Sequence, residues 1–160
     1  MSQRRSGYAL QQAETYVTPS WVWARLQSEI EFWFPWDPCP INYEHDFLKC
    51  NWSPGDIVTN PPFSRADEFV FHALTLTRHF QGKVAFLLPH GYDASRGKCR
   101  KTGRNRRLEL FTQFPYRGKY VLLDRIRWEN LEQKQAHPSG DHAFYVWDWT
   151  HNGPPSIFWI

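Results

Sequence analysis

The chain has 160 residues, enough for one domain whose core buries most of its apolar surface, and short for two. Aromatic residues make up 18% of it, with nine Trp, more than such a core hides completely, so some are expected to line a site. Cys39, Cys50 and Cys99 have neither an even count nor paired spacing, and the seven His lack metal-ligand spacing, which excludes a disulfide scaffold and a zinc centre and favours a reducing compartment.

No membrane-length apolar run or signal-peptide pattern is present, so the expectation is a soluble, intracellular protein. The formal charge of +3 is modest but uneven. Arg96, Lys98, Arg100, Lys101, Arg104, Arg106 and Arg107 follow one another without an intervening acid, and a polyanion is the natural partner.

Residues 1–13 are polar and read as a loose arm ahead of a single domain spanning 14–160. Thr18-Pro19 then opens a helix over residues 20–30, with Thr18 as N-cap, Pro19 in the first turn, and Trp23, Leu26 and Ile30 on one apolar face. The apolar run Phe32-Trp33-Phe34-Pro35-Trp36 stops at Asp37-Pro38-Cys39-Pro40 and reads as the first sheet strand, with Asp37 at its C-terminal edge. Between Asn42 and Asp56 there is no room for two full βα units, so this part of the sheet is abridged.

The stretch Asp56-Ile57-Val58-Thr59-Asn60-Pro61-Pro62-Phe63-Ser64 is the most informative in the chain. Ile57 and Val58 are β-branched and lead into a rigid double-proline corner, which predicts a buried strand delivering Asn60 and Phe63 to its C-terminal end, where open α/β sheets keep their chemistry. Two prolines remove two N–H donors and leave the Asn60 and Pro61 carbonyls, with the Asn60 side-chain amide, as acceptors. Such a cluster suits a flat exocyclic amine, and Phe63 suits a nucleobase face, a contact worth about 1–3 kcal/mol in single-strand binding proteins.

A helix follows from Ser64, capped by that serine, with acids in its first turn and Phe69, Ala73 and Leu76 as its buried stripe. Residues 83–89 form a second central strand. Residues 90–107, rich in Gly and cations, read as a solvated loop that meets phosphate. A short helix at 108–111, a strand over 119–128, a polar loop from Glu129 and a final antiparallel strand over 142–149 complete the chain. Arg125 reads equally as a nucleic-acid contact or an ion-pair partner.

Asn60-Pro61-Pro62-Phe63 resembles the Asn/Asp-Pro-Pro-Tyr/Phe motif of S-adenosylmethionine-dependent amino methyltransferases, and the motif order resembles the small bacteriophage Dam-type adenine-N6 enzymes. The resemblance covers most of the chain and implies an α/β fold, an abridged Rossmann-like class I methyltransferase sheet with helices on its faces and an antiparallel C-terminal strand. It implies a DNA adenine-N6 methyltransferase using S-adenosyl-L-methionine in an infected host cell, with Asn60, Pro61, Pro62 and Phe63 as catalytic residues. Tyr16, Thr18 and Pro19 resemble the segment beside the methionine part of the cofactor, Asp37-Pro38-Cys39 the start of the cofactor motif, and Asp46 an acid near the adenosine.

Arg96, Lys98, Arg100, Lys101, Arg104, Arg106 and Arg107 would then hold the DNA backbone. The Gly-x-Gly that usually follows the cofactor motif is absent after Asp37. That absence sets a catalytically inactive methyltransferase-like nucleic-acid-binding protein beside this reading, and because the Asn-Pro-Pro-aromatic grip recognises a planar amine and not adenine alone, so does a methyltransferase acting on RNA adenine or on a protein amide.

Overall fold

The computed structural model describes residues 16–40, 46–94, 106–130 and 140–160. The expected N-terminal arm and the cations Arg96, Lys98, Arg100, Lys101 and Arg104 lie outside them. The described part is an α/β structure built on a mixed, open, five-stranded sheet.

In chain order the elements are β1 (Tyr16–Val17), α1 (Ser20–Gln27), β2 (Ile57–Thr59), α2 (Ala66–Thr77), β3 (Lys83–Pro89), α3 (Arg106–Thr112), β4 (Tyr116–Val121), β5 (Glu129–Asn130), β6 (His142–Asp148) and β7 (Ser156–Trp159). The sheet order is β2-β3-β6-β4-β7; β2 runs parallel to β3, and β6 lies antiparallel between β3 and β4. β1 and β5 form a separate antiparallel ribbon. Among the described residues no helix is long and apolar enough to cross a membrane.

Period-two alternation sorts the strand side chains onto two buried faces. Val58, Ala85, Leu87, Phe144 and Val146 meet α1 through Val22 and Leu26. Ile57, Val84, Phe86, Leu88, Tyr145 and Trp147 meet α2 through Phe69, Val70 and Leu74, and α3 through Leu110. All seven residues of β6 are buried, as a central strand covered on both faces requires. Each large aliphatic or aromatic side chain so enclosed contributes about 1.5–3 kcal/mol.

Several boundaries differ from the sequence expectation. The aromatic run before Asp37 does not form a strand, because Phe34 takes a left-handed φ of 44° and Pro35 lacks a donor. Only Trp36 joins the sheet, in a parallel bridge with Ile57. α1 ends at Gln27, and its inward residues are Val22 and Leu26, with Trp23 only half-buried against Phe144. Ser64 does not cap α2: residues Phe63–Arg65 form a 3-10 turn, and the helix starts at Ala66.

Arg106 and Arg107 belong to α3 and not to a loop. β4 ends at Val121, beyond which Leu122, Ile126 and Trp128 turn inward as irregular chain against the α1 face. β7 was not foreseen in the sequence. It fits beside β4 because Gly118 brings no side chain; a Cβ there would collide with the Ser156 carbonyl.

Asp56 braces the lower end of this sheet. Its buried carboxylate accepts from Trp33 N at 2.8 Å through Oδ2 and from Lys83 N at 2.7 Å through Oδ1, tying the aromatic run and the start of β3 to the start of β2. Hydrogen bonds to a charged acceptor are worth about 1.5–3 kcal/mol each. Asp56→Ala should therefore lower unfolding stability by about 3 kcal/mol in urea denaturation; a loss below about 1 kcal/mol would mean that this brace carries no weight.

Candidate active site

The C-terminal ends of the parallel strands β2 and β3 and the start of β6 converge at one edge of the sheet. β2 delivers Thr59 and Asn60, β3 ends at Pro89, and antiparallel pairing sets His142 opposite Pro89. Asp37 reaches the same edge because Trp36 pairs beside β2: Trp36 N donates to Asp56 O at 2.8 Å and Val58 N to Trp36 O at 3.0 Å.

Thr59 Oγ1 donates to Asp37 Oδ1 at 2.6 Å, and Cys39 N donates to the same oxygen at 2.9 Å. The residues expected to face amine and cofactor, Asn60 and Asp37, are thus linked through one hydroxyl on the neighbouring residue. Burial holds the Asp37 carboxyl above its ordinary range, against the opposing pull of the Thr59 hydroxyl and the Cys39 N–H. Burial, with the Asp37 charge adding to it and the Thr59 hydroxyl opposing it, pushes the Cys39 thiol up to about 12, so it is a neutral thiol and not a nucleophile.

Thr18 does not cap α1, whose N-cap is Pro19 and has no side-chain hydrogen bond. Its hydroxyl instead accepts from Asn60 Nδ2 at 3.1 Å, with the β1–β5 ribbon holding the preceding Tyr16 and Val17. That bond leaves Asn60 Oδ1 buried with no hydrogen-bond partner among the described residues. An unpaired buried acceptor costs about 1–3 kcal/mol, so a folded chain retains one where something else supplies the donor. Pro61 and Pro62 are buried and Phe63 half-exposed, and Pro62 O accepts from Arg65 N at 3.0 Å, fixing the turn that presents the Phe63 ring.

Asp46 has a local partner. Its Oδ1 accepts from Leu48 N at 3.1 Å, its Oδ2 lies 3.6 Å from Lys49 Nζ, and Phe47 anchors the turn against Trp36 at 5.9 Å between ring centroids. Trp52, 63% exposed, stacks parallel to Trp36 at 6.4 Å between ring centroids. Pro38 is buried and Pro19 partly so.

Of the cations expected to hold phosphate, the two described ones have partners within the protein. Arg107 Nε donates to Asp67 Oδ1 at 2.9 Å with its guanidinium 4.2 Å from the Tyr92 ring centre, and Arg106 lies 4.5 Å from that of Phe71. Tyr92 OH donates to the same Asp67 oxygen at 2.7 Å. Asp67 stands in the first turn of α2, directly after Phe63, and so draws both flanks of the cationic stretch to the Phe63 end of the sheet. Arg125 pairs with Asp141 at 2.9 Å on the surface.

Two residues at this edge, Lys119 and His142, went unmarked in the sequence. Lys119, buried at 7% exposure, donates to His90 O at 2.6 Å and reaches Asp93 Oδ2 at 3.0 Å, fixing the turn after β3. His142 packs on Phe63 at 5.7 Å and edge-on against Trp128 at 5.2 Å. Burial holds its imidazole below the ordinary range, opposed by the Asp141 carboxylate and the Gly140 backbone, so it is neutral at pH 7. No local pattern marks either of them; pairing across the sheet brings them here.

No protein-family model, curated protein or solved structure matches this chain.

Asp37 makes a pH prediction whose sign follows from its raised value. From about 3.8 upward, the folded chain holds a proton longer than the unfolded one, so stability falls as pH rises through the raised value. Asp37→Asn keeps the acceptor for Thr59 and Cys39 without the charge. The variant should be at least as stable as the parent at pH 7, with the advantage shrinking toward pH 4; urea melts showing a loss above about 1 kcal/mol at pH 7 would contradict this.

Proposed function

We propose that this protein is an S-adenosylmethionine-dependent methyltransferase acting on the exocyclic amine of a nucleobase, with adenine N6 in DNA as its substrate. The observation that carries the reading is the sealed, unpartnered Asn60 Oδ1, held in place by Thr18 at the end of β2. A flat amine entering beside Phe63 supplies the missing donor. The expected antiparallel strand is β6, inside the sheet, while the C-terminal β7 runs parallel to β4; the mixed open sheet with helices on both faces is compatible with a Rossmann-like fold and in that measure supports the reading.

Asp37, Thr18 and Asp46 would hold the cofactor. Burial disfavours the Asp37 charge, which a cationic or hydroxyl-bearing ligand offsets, and the neutral Cys39 thiol introduces no competing charge. S-adenosylmethionine, when bound, supplies an electrophilic methyl group, so the protein needs no strong base. The amine lone pair forms the new C–N bond as the C–S bond breaks, and the surplus amine proton passes to water.

Asn60 accepts from the amine as positive charge grows on it, a hydrogen bond that strengthens toward the transition state. Phe63 replaces the stacking that a flipped-out base loses. Positioning amine and methyl group in line accounts for most of the acceleration.

Incubating the chain with methyl-labelled cofactor and separate DNA, RNA and protein pools tests the reading: label is expected in DNA adenine. Label in RNA alone would move the substrate, and no label in any pool would remove the activity. Asn60→Ala loses one hydrogen bond but also removes an unpaired oxygen, so its stability should stay within about 1 kcal/mol of the parent. Its methylation rate should fall at least about 100-fold, as when an oxyanion-hole donor is removed elsewhere. Retained turnover by that variant would strip Asn60 of its role.

A further inference from the structure

Among the described residues, only two buried side-chain nitrogen or oxygen atoms lack a hydrogen-bond partner, Asn60 Oδ1 and His142 Nδ1. Asn60 directly follows β2, and His142 opens β6. Asn60 precedes Phe63 by three residues, and the His142 ring lies 5.7 Å from the Phe63 ring. Alternation places His142, two residues before Phe144, on the α1 face, and Asn60 bonds to Thr18 just ahead of α1, while Phe63 packs against the α2-face core and meets His142 across the sheet end. The two unpaired buried side-chain atoms of the described residues therefore both lie at the end of the sheet that carries Phe63.

Packing alone does not account for a histidine here. The side chain is 6% exposed, and Trp128 and Phe63 enclose it. An apolar ring would satisfy these neighbours without leaving a sealed nitrogen that costs about 1–3 kcal/mol.

We propose that His142 is a specificity-determining residue that, together with Asn60, reads an amine beside a ring nitrogen on a nucleobase stacked on Phe63. This rests on the nucleobase reading given above. Asn60 Oδ1 is an acceptor. The Nδ1–H tautomer of neutral imidazole is a donor. The pair complements an N–H donor adjacent to a ring-nitrogen acceptor, which adenine presents as its amine beside a neighbouring ring nitrogen and cytosine as its 4-amine beside N3. Thymine has no amine, and guanine has a carbonyl oxygen where adenine has its amine, so a base entering by that edge leaves Asn60 unpaired in either case. A site built to hydrogen-bond a substrate group rejects analogues lacking it more strongly than a merely shaped one does.

The neutrality of His142 suits this task. A protonated ring would place a cation beside an amine that itself becomes positive.

The test uses the full chain with adenine-containing oligonucleotides in which the target is replaced by 1-deazaadenine or 7-deazaadenine. The parent should lose about 10- to 100-fold in kcat/KM on one of the two, the range expected for a lost hydrogen bond in a specific base contact. His142→Phe should lose a similar factor on adenine and no longer distinguish the analogues, and His142→Asn, which keeps an N–H near the Nδ1 position, should recover part of the loss. Equal use of adenine and both analogues by the parent, or undiminished adenine methylation by His142→Phe, would overturn the proposal.

A second readout is independent of turnover. The ¹⁵N resonance of His142 Nδ1 should shift when a saturating adenine oligonucleotide binds, and not when the target is the deaza analogue that lacks the ring nitrogen it contacts. A shift without methylation would remove the methyltransferase reading and keep the base contact; saturation without a shift would remove the base contact.

Discussion

The hydrogen bond from Asn60 Nδ2 to Thr18 Oγ1 fixes the rest of the site. An amide side chain has two ends, and tying down the nitrogen determines where the oxygen points. Thr18 could have capped α1, yet its hydroxyl is committed to a residue 42 positions away. The helix gives up a cap worth about 1 kcal/mol, and the interior tolerates an unpaired oxygen worth about as much again. Local stability has been traded for a preorganised acceptor, a pattern expected where function competes with folding.

The sheet makes that arrangement affordable. Asp56 closes the lower end by holding Trp33 and Lys83, and the fully buried β6 fills the centre. With the lower end rigid, the upper edge carries a disfavoured carboxyl at Asp37, a neutral imidazole at His142 and the unpaired, buried amide oxygen of Asn60. Lys119 and Tyr145 fasten the turn after β3 by donating to His90 O at 2.6 and 2.7 Å. Arg107, expected to meet phosphate, instead completes an internal cluster with Asp67 and Tyr92, because a partly buried carboxylate at the start of α2 outcompetes solvent for it.

The strand over Lys83–Pro89 was legible in the sequence because its apolar run is bounded by Gly82 and Pro89, and the double-proline corner announced the end of β2. Where two signals competed, the sequence misled. Thr18-Pro19 carries a local capping pattern that a distant amide overrides, and Phe32–Trp36 has strand composition that Pro35 and the left-handed Phe34 cancel. His142 was illegible for a different reason: its place beside Phe63 depends on β6 running antiparallel to β3, and no spacing along the chain encodes that register. β7 escaped notice because Pro154 and Pro155 precede a strand of only four residues.

The central claim is that the Asn60 oxygen receives the substrate amine while Asp37 faces the cofactor. A crystal structure of the chain with S-adenosylhomocysteine and an adenine oligonucleotide tests it most directly. The account predicts the adenine amine about 3 Å from Asn60 Oδ1, its ring on Phe63, and the adenosyl group against the segment from Asp37 to Asp46. A base bound elsewhere, with Asn60 Oδ1 still unpaired, would contradict it.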